Sequence, residues 1–442
     1  MSNPGPDNTL NGMSLQPTRL PLLETAFRES TGLPPPMFEP AADEWTIVKI
    51  TSLAHFLCHL GELIFPSVMV AVMAEFGLEP HVATALALLG YILLGAGALL
   101  VGLWADAWDP RRILLIYFFA MAGAGLAVAL APDVPFLFVG LTLLGLAASI
   151  YHPTGLAMIS MGVRQRGKAL GINGVAGSFG IALAPLLGSW ASQIGMWRMA
   201  YGILAALAGL FAILIIVDFR KLPAWNPDRH SREEVAAPSS FEKQRRWSRG
   251  SLIVLLAAMT LAGFNYRCLV TALPSYLNGG QTATDTFLPG GIATFLVMLA
   301  GGSFGQLMGG VLADRLGART ICLALVVSLI PLSLLLGWLP GMIVPAAIAG
   351  VLSIGMFAQQ PVENSLLAEN STPRRRSVSY GIKFVLTFGV GALGAEVVGI
   401  IWKEFDSLSP VFYLMAACAT LMAGLLLIFR WQTRIQSTVP SV

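Results

Sequence analysis

Residues Gly102 to Arg112 read GLWADAWDPRR, and the fold is decided by how this stretch is read. It follows an uncharged apolar run from Val82 to Ala105 and precedes another from Ile113 to Ala131. Two acids and two arginines therefore sit in a turn between helices of membrane length. The turn occurs twice. Gly310 to Arg319 reads GVLADRLGAR, and Gly102, Asp106 and Arg111 recur as Gly310, Asp314 and Arg319, each 208 residues further on. The same displacement carries Pro66 onto Pro274 and Pro153 onto Pro361. A fixed long period marks a duplicated unit, and the unit here holds six hydrophobic spans.

Composition agrees with that reading. Of 442 residues, 55% are apolar and only 12% charged, and the mean hydropathy of +0.72 excludes a soluble chain. The expected fold is an all-α polytopic membrane protein of twelve transmembrane helices in two pseudo-symmetric six-helix bundles. Spans are predicted near 48–73, 82–105, 111–131, 134–159, 168–191, 199–217, 251–277, 288–313, 320–339, 341–366, 377–402 and 409–429. Residues 1–44 lack the apolar core of a secretory signal and read as a disordered cytoplasmic tail. The bundles then occupy 45–219 and 251–432, joined by a basic cytoplasmic linker at 220–250 and followed by a short tail at 433–442. Of the Lys and Arg residues, Arg198 and Lys403 alone face the side opposite the termini, while Arg267 and Lys383 lie within spans. The positive-inside rule then places both termini in the cytoplasm, in a plasma (inner) membrane. Cys58, Cys268, Cys322 and Cys418 are far apart, fall inside spans and read as packing residues.

Twelve spans in six plus six, a central basic loop and paired Gly-x-x-x-Asp-x-x-x-x-Arg turns resemble the major facilitator superfamily over about residues 45–432. The resemblance implies two halves that rock about a central site and expose it to each side in turn. It also implies a conformational latch at Gly102, Asp106, Arg111 and Arg112 and at Gly310, Asp314, Arg315 and Arg319. A carboxylate beside helix ends and arginines gains energy that rocking would release. The fifth span, GINGVAGSFGIALAPLLGS from Gly171 to Ser189, carries Gly171, Gly180, Pro185 and Gly188 in a spacing similar to the antiporter signature of that superfamily. It departs at Ala184 and Ser189, where glycines are usual. HFLCHLGE from His55, SIYHPTG from Ser149 and RQRGKALG from Arg164 are most similar to the fosmidomycin-resistance branch of drug and proton antiporters.

Ionisable groups inside a bilayer cost about 2.5–3.5 kcal/mol even on lenient scales, so each is read as functional by default. His55, His59 and Glu62 share one face of the first span. The 208-residue displacement maps His59 onto Arg267 and His152 onto Gln360, and a displacement of 210 maps Asn173 onto Lys383. Equivalent polar positions in facing halves point to one shared cavity. Its expected lining is His55, His59, Glu62, Tyr151, His152, Asn173, Asn265, Arg267, Gln359, Gln360, Glu363 and Lys383. Glu62 and Glu363 are the expected proton carriers, because a buried carboxylate opposed by a cation is a group for which proton and substrate compete. His59 and His152 read as relays, and Arg267 and Lys383 as positive charge for an anionic or zwitterionic solute. Glu396 and Lys403 read as a surface or gate pair, and Lys383 has the alternative of snorkelling.

These features predict a secondary active transporter of a small organic solute, with proton-coupled export by alternating access. Its expected partners are that solute, protons and the lipid bilayer, with no nucleic acid, and a monomer is presumed. A divalent metal or metal-chelate carrier using His55, His59 and Glu62 is the alternative within transport. A non-transporting sensor or assembly protein is the alternative of another class, supported only by the tail and linker. No Gly-rich nucleotide loop or catalytic triad is present in the sequence, so neither an enzyme nor a cofactor is expected.

Overall fold

The computed structural model describes residues 44–105, 108–163, 166–218, 249–279, 287–370 and 376–438. Its N-terminal half comprises α1 (Glu44–Phe76), α2 (Pro80–Ala105), α3 (Pro110–Ala129), α4 in two segments (Val134–Ala148 and Tyr151–Gly162), α5 (Arg166–Gln193) and α6 (Arg198–Asp218). In the C-terminal half, α7 (Arg249–Leu277) is followed by α8, built from Phe287–Ala300, a π-helical turn at Gly301–Gly305 and Gln306–Leu316. Then come α9 (Ala318–Trp338), α10 (Ile343–Asn370), α11 and α12 (Ser409–Thr438). In α11, Arg376–Phe384 leads through a π-helical Val385–Val390 into Leu393–Phe405. All twelve are long and apolar enough to cross a membrane, and each predicted span agrees with the apolar part of its helix within four residues at either end, α12 itself running nine residues past its predicted end. An even number of crossings brings residues 44 and 438 to one end of the molecule, called here the terminal end. Of the expected tails and linker, residues 1–43, 220–248 and 439–442 lie outside the described residues, as does Asp106, while α12 continues as helix through the expected C-terminal tail as far as Thr438.

The two copies of the turn close by different means. At the first, Asp109 caps α3, accepting from the Arg111 backbone N–H at 3.0 Å ahead of Pro110 at the first helical position. The Arg111 guanidinium also donates to Asp109, with Nη2 at 2.6 Å. In the repeat the residue 208 positions on is Gly317, whose φ of 85° reverses the chain in a region closed to most side chains. A Cβ at Gly102 or Gly310 would meet nothing within 4 Å, so packing does not explain either glycine.

Small residues set how closely the helices approach. Gly180 of α5 faces the backbone of Phe56 and Leu60 in α1, and Gly188 faces Ser67 and Ile64. Gly180 and Gly188 thus serve contact within their own half, Pro185 faces the other half, and a Cβ at Gly171 would meet open space. Other positions of α5 contact α8 across the halves. Ser178 Oγ donates to the Gly302 carbonyl at 3.4 Å, and Gly291 lies against Ser189 and Pro185. At the matching contact Gly95 of α2 meets the backbone of Gly389 in α11. Gly302 and Gly389 both sit in the π-helical turns, so each local unwinding falls where the two halves touch.

Candidate functional site

Pro153 has no N–H to donate to the Ser149 carbonyl, and α4 breaks at Ser149–Ile150. The second segment starts there with Tyr151 and His152. Four residues apart on α1, His55 and His59 face this break, and three imidazoles come together. Ring centroids are 4.9 Å apart for His55 and His59, 5.2 Å for His55 and His152, and 5.4 Å for His59 and His152. Gly177 of α5 makes room for the first ring, because a Cβ there would meet His55 Nε2 at 2.5 Å. His55 Nδ1 is 2.8 Å from the Asn173 carbonyl, and the Tyr151 hydroxyl donates to Asn173 Oδ1 at 2.8 Å. His152 also stacks on two rings of the other half, Phe384 at 5.7 Å and Phe388 at 5.9 Å.

The central charge pair also crosses the halves. Arg267 Nη2 of α7 donates to Glu62 Oε1 of α1, and both side chains are almost wholly buried. Glu62 Oε2 is 2.9 Å from His59 Nδ1. The Arg267 guanidinium lies over the Tyr91 ring of α2 at 3.9 Å, a cation–π contact. Its Nη1 is buried with no partner among the described residues, as are His152 Nε2, Asn173 Nδ2 and Gln359 Nε2.

A second polar group lies within the C-terminal half. Lys383 is buried, pairs with Glu363 at 3.4 Å and donates to Asn364 Oδ1 at 2.7 Å. It ties α11 to α10, so it does not snorkel toward a headgroup. The sequence equivalence of Asn173 and Lys383 acquires a structural meaning here. Each joins the fifth helix of its half to the fourth, Asn173 through Tyr151 and Lys383 through Glu363 and Asn364.

Other expectations need correction. Asn265 does not join the cluster: its Nδ2 donates to the Met415 carbonyl of α12 at 3.2 Å, and it sits two residues from Arg267, on a different face of α7. The metal set of His55, His59 and Glu62 is replaced by His55, His59 and His152, because Glu62 is engaged by Arg267 and His59. Neither cation stands free, since Arg267 and Lys383 each face a carboxylate. Gln360 is partly exposed beside the buried Gln359.

Glu396 and Lys403 bond to the N-terminal half. Lys403 Nζ is 2.9 Å from Glu79, and Thr84 Oγ1 donates to Glu396 at 3.3 Å. These contacts had no sequence signal, since Glu79 and Thr84 lie in an ordinary polar helix end. Both close the end opposite the termini. In the N-terminal half, Arg198 braces that end against Glu75 at 2.6 Å and the Ala131 carbonyl at 2.9 Å. Of the latch, Arg111 is engaged by Asp109, Arg112 and Arg315 are exposed, and Arg319 is half-buried. Asp106 and the Asp314 side chain lie outside what the structure describes.

Comparison with known proteins decides the family, since the model of the Major Facilitator Superfamily matches residues 51–395. The chain belongs to the Major Facilitator Superfamily. It is a multi-pass membrane transporter of that type. It is 24% identical over 405 residues to the fosmidomycin resistance protein of Escherichia coli, a match covering 88% of this chain and 93% of that protein. It is 31% identical over 183 residues to a probable multidrug-efflux transporter of Mycobacterium tuberculosis, covering 40% of this chain and 34% of that one. Among solved structures it is similar to an inward-facing, unoccupied bacterial homolog of the human lysosomal transporter Spinster. The TM-score is 0.70 at 14% identity, with 91% of this chain and 100% of that one covered, a likeness of fold.

Proposed function

We propose that this protein exports a small organic solute by alternating access in exchange for protons. In this reading it lies in a plasma (inner) membrane with both termini in the cytoplasm. The observation that carries the reading is the Glu62–Arg267 pair, which places opposite charges from the two halves against each other at the centre of the molecule. Rocking of one half on the other must break that pair or carry it along. The Lys403–Glu79 and Glu396–Thr84 contacts hold the opposite end closed in this state. The concentration of Lys and Arg on the terminal side supports the orientation, and the likeness to a resistance protein and a probable efflux transporter supports export.

The proton site of the reading is Glu363. Its carboxylate is buried 3.4 Å from Lys383. A proton and the cationic group of a zwitterionic solute compete for that carboxylate, while the solute's anionic group meets Lys383, so proton and solute occupy the site by turns, as exchange requires. Arg267 Nη1 and Gln359 Nε2, both buried donors without a partner among the described residues, offer the solute hydrogen bonds. Glu62, gripped by Arg267 and His59, acts in this scheme as a fixed counter-ion.

Everted vesicles carrying the protein should accumulate a panel of anionic and zwitterionic antibacterials when their lumen is acidified, and dissipating the pH gradient should abolish the accumulation. Glu363→Gln should still exchange labelled for unlabelled solute while losing the response to the gradient. Gradient-independent accumulation by the unaltered protein would reject proton coupling.

A further inference from the structure

Three imidazoles meet in this protein with their hydrogen-bonding arranged as metal ligands require. The His55 Nδ1 partner at 2.8 Å is the Asn173 backbone carbonyl, which can only accept, so Nδ1 carries the proton and Nε2 keeps a free lone pair. The His59 Nδ1 partner at 2.9 Å is the Glu62 carboxylate, which already accepts from Arg267. Again Nδ1 donates and Nε2 keeps its lone pair. His152 Nε2 is buried and has no hydrogen-bond partner among the described residues. One nitrogen from each ring lies within 4.8 Å of one from each of the others.

We infer that His55, His59 and His152 bind one divalent transition-metal ion of the zinc class through their Nε2 atoms. A ring nitrogen left as a lone pair by a carbonyl or carboxylate on its other nitrogen is the usual second-shell arrangement of a metal-bound histidine. Here it occurs on two adjacent rings of one cluster. The spacing is that of an open site. Zinc–nitrogen bonds of about 2.0–2.1 Å hold tetrahedral nitrogens about 3.3 Å apart, so the rings need close by no more than about 1.5 Å. His152 follows the break in α4, where a ring can swing without disturbing a continuous helix. Three neutral nitrogens leave a fourth position for water or an oxygen donor. Soft or borderline ions are favoured over magnesium or calcium, which prefer oxygen ligands. The site goes beyond the transport reading and stands apart from it: the ion need not be the cargo, and proton-driven export without a metal would leave that reading untouched.

The test uses the untagged full chain in detergent, stripped with chelator, with cobalt(II) and zinc(II) as probes. One ion should bind per chain, with cobalt giving the visible absorption of a low-coordinate nitrogen-ligated centre. X-ray absorption of the zinc-loaded protein should show imidazole scattering from three ligands. His55→Gln and His152→Gln should each weaken binding by about 100-fold or more, and Glu62→Gln, which removes only the second shell, by about 10- to 100-fold. His81→Gln, at a partly exposed position outside the cluster, should change nothing. Absence of stoichiometric binding, zinc without imidazole scattering in the unaltered protein, or unchanged affinity in His55→Gln and His152→Gln would overturn the site. The spectroscopy needs no variant, so a misfolded substitution cannot shelter the proposal.

Discussion

Glu62 of α1 and Arg267 of α7 form a buried ion pair between the two halves, with His59 on the second carboxylate oxygen and Tyr91 beneath the guanidinium. Removing one partner of such a pair strands the other charge, at a cost of about 3–5 kcal/mol, whereas removing both is far milder. Glu62→Gln and Arg267→Gln should each lower the thermal midpoint in detergent strongly, and the double variant Glu62→Gln/Arg267→Gln should lose less than the two together. Additive losses in that cycle would mean that the pair is not coupled.

The α5 stripe gives a contrast within one helix. Gly180 faces the α1 backbone, where a branched side chain must push the helices apart, while Gly171 faces open space. Gly180→Val should destabilise the protein by about 1–3 kcal/mol or more, as overpacking does. Gly171→Ala should be neutral or slightly stabilising by helix propensity. Unfolding of the two variants side by side in detergent checks both signs, and equal losses would reject the packing role of Gly180.

At the end opposite the termini, the Lys403 ammonium bonded to Glu79 holds that carboxyl below the usual glutamate range. A depressed folded value means that the tie is fully present above the ordinary value of about 4.3 and is lost as pH falls through the lower folded value. Spin labels on the ends of α1 and α11 should therefore report more separated conformers in Glu79→Gln and Lys403→Gln at neutral pH. Acid below the ordinary value should separate them in the unaltered protein. The pair is exposed, so the effect is modest and shrinks with added salt. Distances indifferent to both substitutions would remove these residues from the gate.

Asn265 ties α7 to α12 within one half. Interhelical hydrogen bonds of this kind average about 0.6 kcal/mol in membrane proteins. Asn265→Ala should cost about that much in unfolding and leave the solute concentration for half-maximal transport unchanged. A large shift in that concentration would return the residue to the pathway.

The sequence by itself determined the twelve spans and the internal duplication, because lipid forces every backbone polar group into a helix and a repeated turn keeps its register. It also placed His55, His59 and Glu62 on one face, since helical periodicity fixes direction within a single element. The partners of those groups were a different matter. Asn265 and Arg267 lie two residues apart in one span and so on different faces, but that one face meets α12 and the other Glu62 is not written in the chain. The break before Tyr151 and His152 completes a triad in which Glu62 had been expected, and Lys403 finds Glu79 more than three hundred residues away. Tertiary structure decided these pairings. Which charge meets which depends on the azimuth and depth at which whole helices pack, and those are set by close approaches such as Gly180 on Phe56 and Gly95 on Gly389.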